Sequence, residues 1–384
     1  MTFTQYSSMF TLFLFSMLLV PAVVLGLCGI RTKWYGMLVS IPALVLIMGL
    51  HTVQMAQFLL FVAGEMILIS GYYLFQKRAK SEFAYFATMA LSILPIFIVK
   101  LCIYTPYDFL GFVGISYISF RVWQLLIEIH DGHVERLHVL DVLYFITFFP
   151  TVSSGPIDRY RRFEDDLAQK LLPSQYASNY LIPGLKKLLW GIAYKFGAAS
   201  AIQLFIMDKL PETITLGSTV IYMYAYTLYL FFDFAGYSHF AISTSYLLGI
   251  RAPENFNKPF LACNMKEFWD RWHISLSKWF GDYIFSRFVL NTLRNGTFKS
   301  KKVATRCGYM ITMLLMGLWH GAHLFYLVYG LYQGLALVAT DFYLKSKIYR
   351  NFKKSKLYKP VSRIICFHVI CFGMLLFSGY LFSF

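Results

Sequence analysis

Charge is what this sequence has least of. Only 14% of its 384 residues are Asp, Glu, Lys or Arg, and 19 in all are acidic. Against 58% hydrophobic and 19% aromatic residues, that composition excludes an ordinary soluble domain, which carries about a quarter charged residues. Cysteine is scarce too. The six present are scattered through apolar segments, with no Cys-x-x-Cys pair and no grouping with histidine; they read as core residues, and no metal site is expected. A Walker A sequence, a G-x-S-x-G elbow, a dinucleotide fingerprint and an H-E-x-x-H helix are all missing, so nothing points to an ATP-driven pump or a zinc hydrolase. Internal repeats and low-complexity linkers are missing as well. The chain therefore reads as one domain over 1–384, and the lack of an inverted repeat weighs against a transporter.

What is present is apolar length. A spanning helix takes about 20 apolar residues, and roughly ten to eleven stretches qualify, some interrupted. The fold class is an all-α polytopic membrane protein. Helices are predicted at about 10–30, 34–50, 53–76, 83–104 and 109–130. The first has no basic residue before it and no small-residue cleavage pattern, which predicts a retained helix rather than a signal peptide. A net charge of +16 comes from basic clusters between the runs: Arg31 and Lys33, Lys77 to Lys80, Lys299 to Arg306, and Lys345 to Arg363. The positive-inside rule makes these loops cytoplasmic, which places the N-terminus and the turn at His51 outside. The same loops suit acidic partners or anionic lipid.

Beyond residue 130 the pattern breaks. The run 140–160 is interrupted by Pro150, Ser153, Ser154, Gly155 and Pro156. Its helix is expected to end near membrane depth, where irregular backbone is tolerated only under cover of protein or beside a polar cavity. Lys186, Lys187 and Lys195 make 180–207 a poor spanner in its first half, suited to lie partly in the interface. An aromatic segment over 219–250 carries Asp233 and His239 in apolar surroundings; Asp233 suits either a polar cavity or a hydrogen bond between helices. NFNKPF (255–260) is turn-forming.

Two stretches place histidine among apolar residues, where an ionisable side chain is either functional or buried on a neighbouring helix. In 267–285, Trp269, His273, Leu276 and Phe280 fall on one helical stripe, flanked by Trp272 and Trp279, and predict an amphipathic helix at the interface or over a cavity. In 310–330, His320 and His323 are three apart and are expected to share a helical face, beside Trp319. Gly317 and Gly321 thin that helix, so that a substrate or another helix can approach.

SGPIDRY (154–160), FFDFAGYS (231–238), FWDRWHISLS (268–277) and MGLWHGAH (316–323) together resemble the membrane-bound O-acyltransferase superfamily in order and spacing. Within it, GISYISFR (114–121), FFPTVSSGPIDRY (148–160) and NFNKPF (255–260) are similar to the branch that transfers D-alanine to teichoic acid in Gram-positive bacteria. The alginate O-acetylase branch also has a WHISL-type stretch but follows it with a glycine-rich turn, whereas here 280–295 continues as a helix.

The resemblance implies a ring of tilted helices, with interfacial or re-entrant helices, around a central tunnel. It implies His320 as the catalytic residue and His273 as its assistant, with Asp233, Ser153, Ser154, Trp269, Trp272, Gly317, Trp319 and His323 along the tunnel. The donor would be D-alanine held as a thioester on the 4'-phosphopantetheine of a small acidic carrier protein in the cytoplasm. The acceptor would be hydroxyls of teichoic or lipoteichoic acid outside, with a small membrane peptide as a relay. No cofactor bound to this chain, no metal and no nucleic acid is implied. Imidazole suits hydroxyl attack on a thioester, because its unperturbed pKa is near neutrality. O-acetylation of an extracellular polysaccharide is the alternative that sequence leaves open. For an acidic carrier, the stretch 282–302 offers apolar Phe285, Phe288, Val289, Leu290 and Leu293 ringed by Arg287, Lys301 and Lys302, and is the expected docking surface.

Overall fold

In hydrocarbon every backbone N–H and C=O has to be satisfied internally, which favours helices wherever the chain is apolar. A computed structural model, describing residues 6, 8–48, 52–102, 111–211 and 213–382, follows that rule. Among the described residues it holds helices, short 3-10 and π-helical turns, and a single isolated β-bridge. The turn expected at His51 lies outside the described residues.

The helices gather into two compact units. The first comprises Met1–Gly191 and Tyr237–Pro253. It holds α1 (Met9–Leu27), α2 (Lys33–Met48), α3 (Thr52–Arg78), α4 (Glu82–Cys102), α5 (Ile115–His130), α6 (Val139–Thr147), α7 (Tyr160–Ala168), α8 (Pro173–Tyr176) and nearly all of α9 (Ile182–Ile192). The second comprises Ile192–Gly236 and Glu254–Phe384. It holds α10 (Ser200–Phe205), the first part of α11 (Leu216–Leu247), α12 (Met265–Trp269), α13 (Ile274–Phe280), α14 (Ser286–Arg294), α15 (Lys301–His320), α16 (Leu324–Lys345), α17 (Lys347–Phe352) and α18 (Tyr358–Phe377).

Among the described residues, five helices are long and apolar enough to cross a membrane: Met9–Leu27, Val53–Arg78, Glu82–Cys102, Pro173–Lys209 and Tyr358–Phe377. Phe13, Leu60, Ile67 and Phe86 stand exposed on them, as lipid-facing side chains do. The runs expected at 34–50 and 140–160 form shorter helices, Lys33–Met48 and Val139–Thr151. Despite its lysines, the stretch around 180–207 is one continuous helix, in which α8, α9 and α10 join through two π-helical stretches.

In the first unit, the break after α6 is held by one buried cation. Arg121 on α5, 1% exposed, donates to the carbonyls of Phe145 (2.9 Å), Ile146 (3.2 Å) and Thr151 (2.8 Å). The broken helix end thereby finds donors for carbonyls that lack an intrahelical partner. Gly114 precedes α5 at φ +98°, a left-handed conformation, and a Cβ there would lie 2.6 Å from the Val152 carbonyl oxygen. Further on, Gln124 donates to the Asp158 carbonyl (2.7 Å) and Asp158 pairs with Arg162. GISYISFR and SGPIDRY are thus two halves of one bracket around the break.

In the second unit, α15 and α16 form a tight hairpin. A Cβ on Gly317 would lie 2.4 Å from the Tyr326 carbonyl oxygen, and one on Gly330 would lie 2.6 Å from that of Met313. Glycine therefore lets two backbones touch, and of the two partners open to Gly317 the structure supplies a helix. At the basic end of the hairpin, Asp341, 2% exposed, gathers Lys345 (2.6 Å), Arg306 (3.0 Å) and Lys266 (3.7 Å).

Candidate active site

The stretch expected to be one helix over 267–285 is not one. α12 ends at Trp269, the chain turns through Asp270–His273, and α13 starts at Ile274. His273 sits in that turn at φ 44°, ψ 51°, left-handed backbone that is uncommon for residues other than glycine, although histidine enters it more readily than most. Local hydrogen bonds impose it. NFNKPF runs alongside: Phe256 and Trp272 form the antiparallel bridge, Asn257 N–H donates to the Arg271 carbonyl (2.9 Å), and Ile274 N–H donates to that of Asn255 (2.9 Å). Asn255, fully buried, also accepts at its side-chain Oδ1 from Ser275 Oγ (2.6 Å) and Ser275 N–H (3.3 Å). The expected stripe fails because a helix would point His273 along the aromatic face, whereas the turn sends it into the unit's interior at 4% exposure.

The second histidine stretch is broken too. α15 ends at His320, and α16 starts at Leu324 with His323 as its N-cap. His320 and His323 therefore do not share a helical face, contrary to expectation. His323 is exposed and stacks on Phe325 at 5.2 Å. His320 turns instead towards Phe377 (4.8 Å, edge-on) and Tyr329 (6.4 Å).

His273 and His320, 47 residues apart in sequence, line one cavity of about 60 Å³ with Trp269, Trp272, Leu276 and Met316. Phe234 packs edge-on against His273 at 4.8 Å and closes part of the wall. A larger cavity of about 570 Å³ shares Trp269 and Met316 with it and reaches Lys266, Lys278 and Tyr309. Trp269 is 6% exposed, and its indole N–H has no hydrogen-bond partner among the described residues.

The other residues expected at the site have the following partners and places. Asp233 is ion-paired with Lys195. Ser153 and Ser154 belong to the first unit, where Ser153 hydrogen-bonds the Tyr237 hydroxyl. Trp319 packs beside His320 without lining either cavity. Of the expected docking residues, Val289 is only 8% exposed and packs with Phe285 against Gly308 of α15; both are turned to the hairpin rather than outward. Phe288 meets Phe298 (6.3 Å), Arg287 and Leu293 are half-buried, and Leu290 is the apolar side chain left outside, at 66% exposure. Lys301 and Lys302 are exposed.

Sequence reasoning missed Tyr329, Met374 and Phe377 on the cavity wall. Nothing in their stretches distinguishes them from ordinary apolar helix residues. Asn255 was missed as well, although it lies in the quoted NFNKPF motif.

The sequence that builds this site has relatives. The MBOAT, membrane-bound O-acyltransferase family, matches over residues 72–383. A teichoic acid D-alanyltransferase of Bacillus subtilis (strain 168) is 41% identical, covering 98% of this chain and 98% of that one. Another teichoic acid D-alanyltransferase, of Streptococcus thermophilus, is 35% identical over 91% of this chain and 89% of its own length. A probable alginate O-acetylase of Pseudomonas syringae pv. tomato is 33% identical over 59% of this chain and 42% of its own length. With the family match covering most of the chain and end-to-end similarity beside it, this multi-pass membrane protein belongs to the membrane-bound O-acyltransferase family and is an acyltransferase.

Proposed function

We propose that the chain transfers D-alanine to teichoic acid, using His320 as general base and His273 as its assistant. The observation that carries this reading is that full-length similarity runs to teichoic acid D-alanyltransferases, whereas the alginate O-acetylase similarity stops at 59% of the chain. In the proposed reaction the acceptor hydroxyl gives its proton to His320 as its oxygen attacks the thioester carbonyl carbon. The C–S bond then breaks, and the departing sulfur takes the proton. The thioester supplies the driving energy, so the chain needs neither a metal nor a nucleotide. Preorganised donors near the carbonyl stabilise the oxyanion, and His273, in the same cavity, is suited to that task.

The donor is D-alanine on the 4'-phosphopantetheine of an acidic cytoplasmic carrier protein. A long flexible arm fits the channel: from Tyr309 to His320 along α15 is about 16 Å at 1.5 Å per residue, and the larger cavity follows that path as far as Met316. The arm's amide carbonyls would accept from the Trp269 indole N–H. The carrier docks on α14 through exposed Leu290 and the rim of Lys301 and Lys302, which lie at the basic end of the hairpin. That end is cytoplasmic by its charge, and the N-terminus is extracellular by the same rule. Teichoic acid is the acceptor outside, with a small membrane peptide as the relay.

The test is transfer of labelled D-alanine from loaded carrier in vesicles containing the purified protein. Label appearing on teichoic acid only when carrier and acceptor are both supplied supports the reading. Transfer from an acetyl donor to a polysaccharide, with no D-alanine transfer, overturns it.

A further inference from the structure

A third cavity of the second unit, about 440 Å³ in volume, lies away from the histidines and shares no residue with either cavity that the chemistry uses. Its walls are faces of two long helices. On α16, Ala336, Ala339, Thr340 and Tyr343 line it; on α18, Ser362, Ile365, Cys366 and Val369 do. Both sets repeat at i, i+3, i+4 and i+7, the spacing of one helical face. Most of these side chains are small, so two helices that run together leave a gap between them. Ile348 and Phe352 of α17 and the segment Cys263–Met265 close its remaining sides. No charged residue lines it.

What fills such a gap is set by what surrounds it. α18 is long and apolar enough to cross a membrane. Ile365, at the cavity's edge, is 59% exposed, its neighbour Ile364 is 60% exposed, and Phe342 of α16 is 56% exposed. The opening therefore faces the hydrocarbon, and hydrocarbon chains are the occupant at hand. Its rim carries the opposite character. The segment 345–363 contains Lys345, Lys347, Arg350, Lys353, Lys354, Lys356, Lys359 and Arg363 and no acidic residue. Lys345 is spent on Asp341 and Arg363 on the Leu261 carbonyl. Lys347, Arg350, Lys354, Lys356 and Lys359 are exposed. Interleaved with them, Ile348 is 72% exposed and Leu357 63% exposed. Exposed apolar side chains among unpaired cations make a segment that lies on an anionic membrane surface.

We propose that this cavity and its basic rim form a binding site for an anionic phospholipid, one acyl chain between α16 and α18 and the headgroup phosphate on Lys359 of α18, at the start of the cavity face of that helix, and on Lys347, next to Ile348 of α17. Neither feature alone would select such a ligand: a neutral lipid fills the gap equally well, and a soluble anion satisfies the cations equally well. Lys359 shares one face of α18 with Ser362 and Cys366 of the cavity wall, at i, i+3 and i+7, and that is what joins the two chemistries in one molecule.

The experiment uses the full chain, purified in mild detergent, stripped of lipid and titrated with phosphatidylglycerol, phosphatidylcholine or glycerol phosphate, with bound molecules counted by native mass spectrometry. The expected result is retention of phosphatidylglycerol in preference to phosphatidylcholine, with no retention of glycerol phosphate. Ala339→Trp, which fills the gap, should abolish retention. Ile365→Trp, at the exposed edge where folding is not at stake, should weaken it if the first variant fails to fold. Lys347→Glu with Lys359→Glu should remove the preference, lowering phosphatidylglycerol affinity by at least about tenfold while leaving phosphatidylcholine unchanged. Equal retention of the two lipids by the wild type, or unchanged retention in both tryptophan variants, overturns the proposal. So does loss of carrier-protein binding in the double reversal with lipid retention intact, which would make the basic rim a protein surface.

Discussion

Asn255→Ala tests whether His273 is held by its neighbours or merely located among them. The Asn255 side chain touches neither cavity, yet its Oδ1 is the common acceptor for Ser275 Oγ at 2.6 Å and Ser275 N–H at 3.3 Å. Those bonds anchor the first turn of α13 directly behind His273. Two buried hydrogen bonds at about 1–1.5 kcal/mol each amount to about 2–3 kcal/mol. Holding a non-glycine residue in left-handed backbone costs about 1–3 kcal/mol, and such strain persists only when surrounding structure over-determines it. The loss therefore matches what keeps His273 in its turn, and the relaxed turn would withdraw the imidazole from the cavity. If that energy is expressed in the transition state, the rate falls by roughly 30- to 160-fold, at 1.36 kcal/mol per decade. The assay is D-alanine transfer in vesicles at equal protein, with kcat and KM separated and thermal unfolding measured alongside. A lowered kcat with KM little changed is expected. Asn255→Asp, which keeps an acceptor oxygen in place, should recover much of the rate. Asn257, which uses only backbone groups in this bracket, should tolerate alanine. A wild-type kcat in Asn255→Ala, or no difference between alanine and aspartate, would refute the reasoning.

Three further outcomes are expected. His320→Ala should lower transfer by about 10²–10⁴-fold in protein that still inserts and folds; near-normal ester levels at equal expression would remove His320 from its role. Gly317→Ala places a Cβ 2.4 Å from the Tyr326 carbonyl oxygen and should destabilise the hairpin by about 1–3 kcal/mol, read as a lowered unfolding midpoint, whereas an unchanged midpoint would mean the backbones part at no cost. Leu290→Asp should weaken carrier binding without affecting insertion, and Lys301→Glu with Lys302→Glu should mainly slow association and flatten its salt dependence; unchanged carrier affinity in both would move docking off α14.

The class of protein is readable without any fold, because hydropathy is additive along a chain. Apolar runs separated by basic clusters leave helices as the only economical way to satisfy the backbone in lipid, and the helices expected between 10 and 102 appear within a few residues of their predicted ends. The two histidine motifs were legible for a related reason: polar side chains stand out against an apolar background. Tertiary structure decided how they are presented. Helical periodicity put His320 beside His323 and His273 on an aromatic stripe, but periodicity assumes an unbroken helix. Both histidines lie at breaks, and the breaks come from neighbours that periodicity does not encode: Asn255 and Asn257, before α12, bracket the turn at His273, and Tyr326, in the first turn of α16, packs where a Cβ on Gly321 would stand. Val289 went astray for a similar reason. On α14 alone it belongs to an apolar face fit for a partner, and only the approach of Gly308 on α15 uses that face up. The cavity walls supplied by Tyr329, Met374 and Phe377 left no trace in the sequence, since a side chain that lines a cavity and one that faces a helix have the same hydrophobicity and differ only in what the fold sets opposite them.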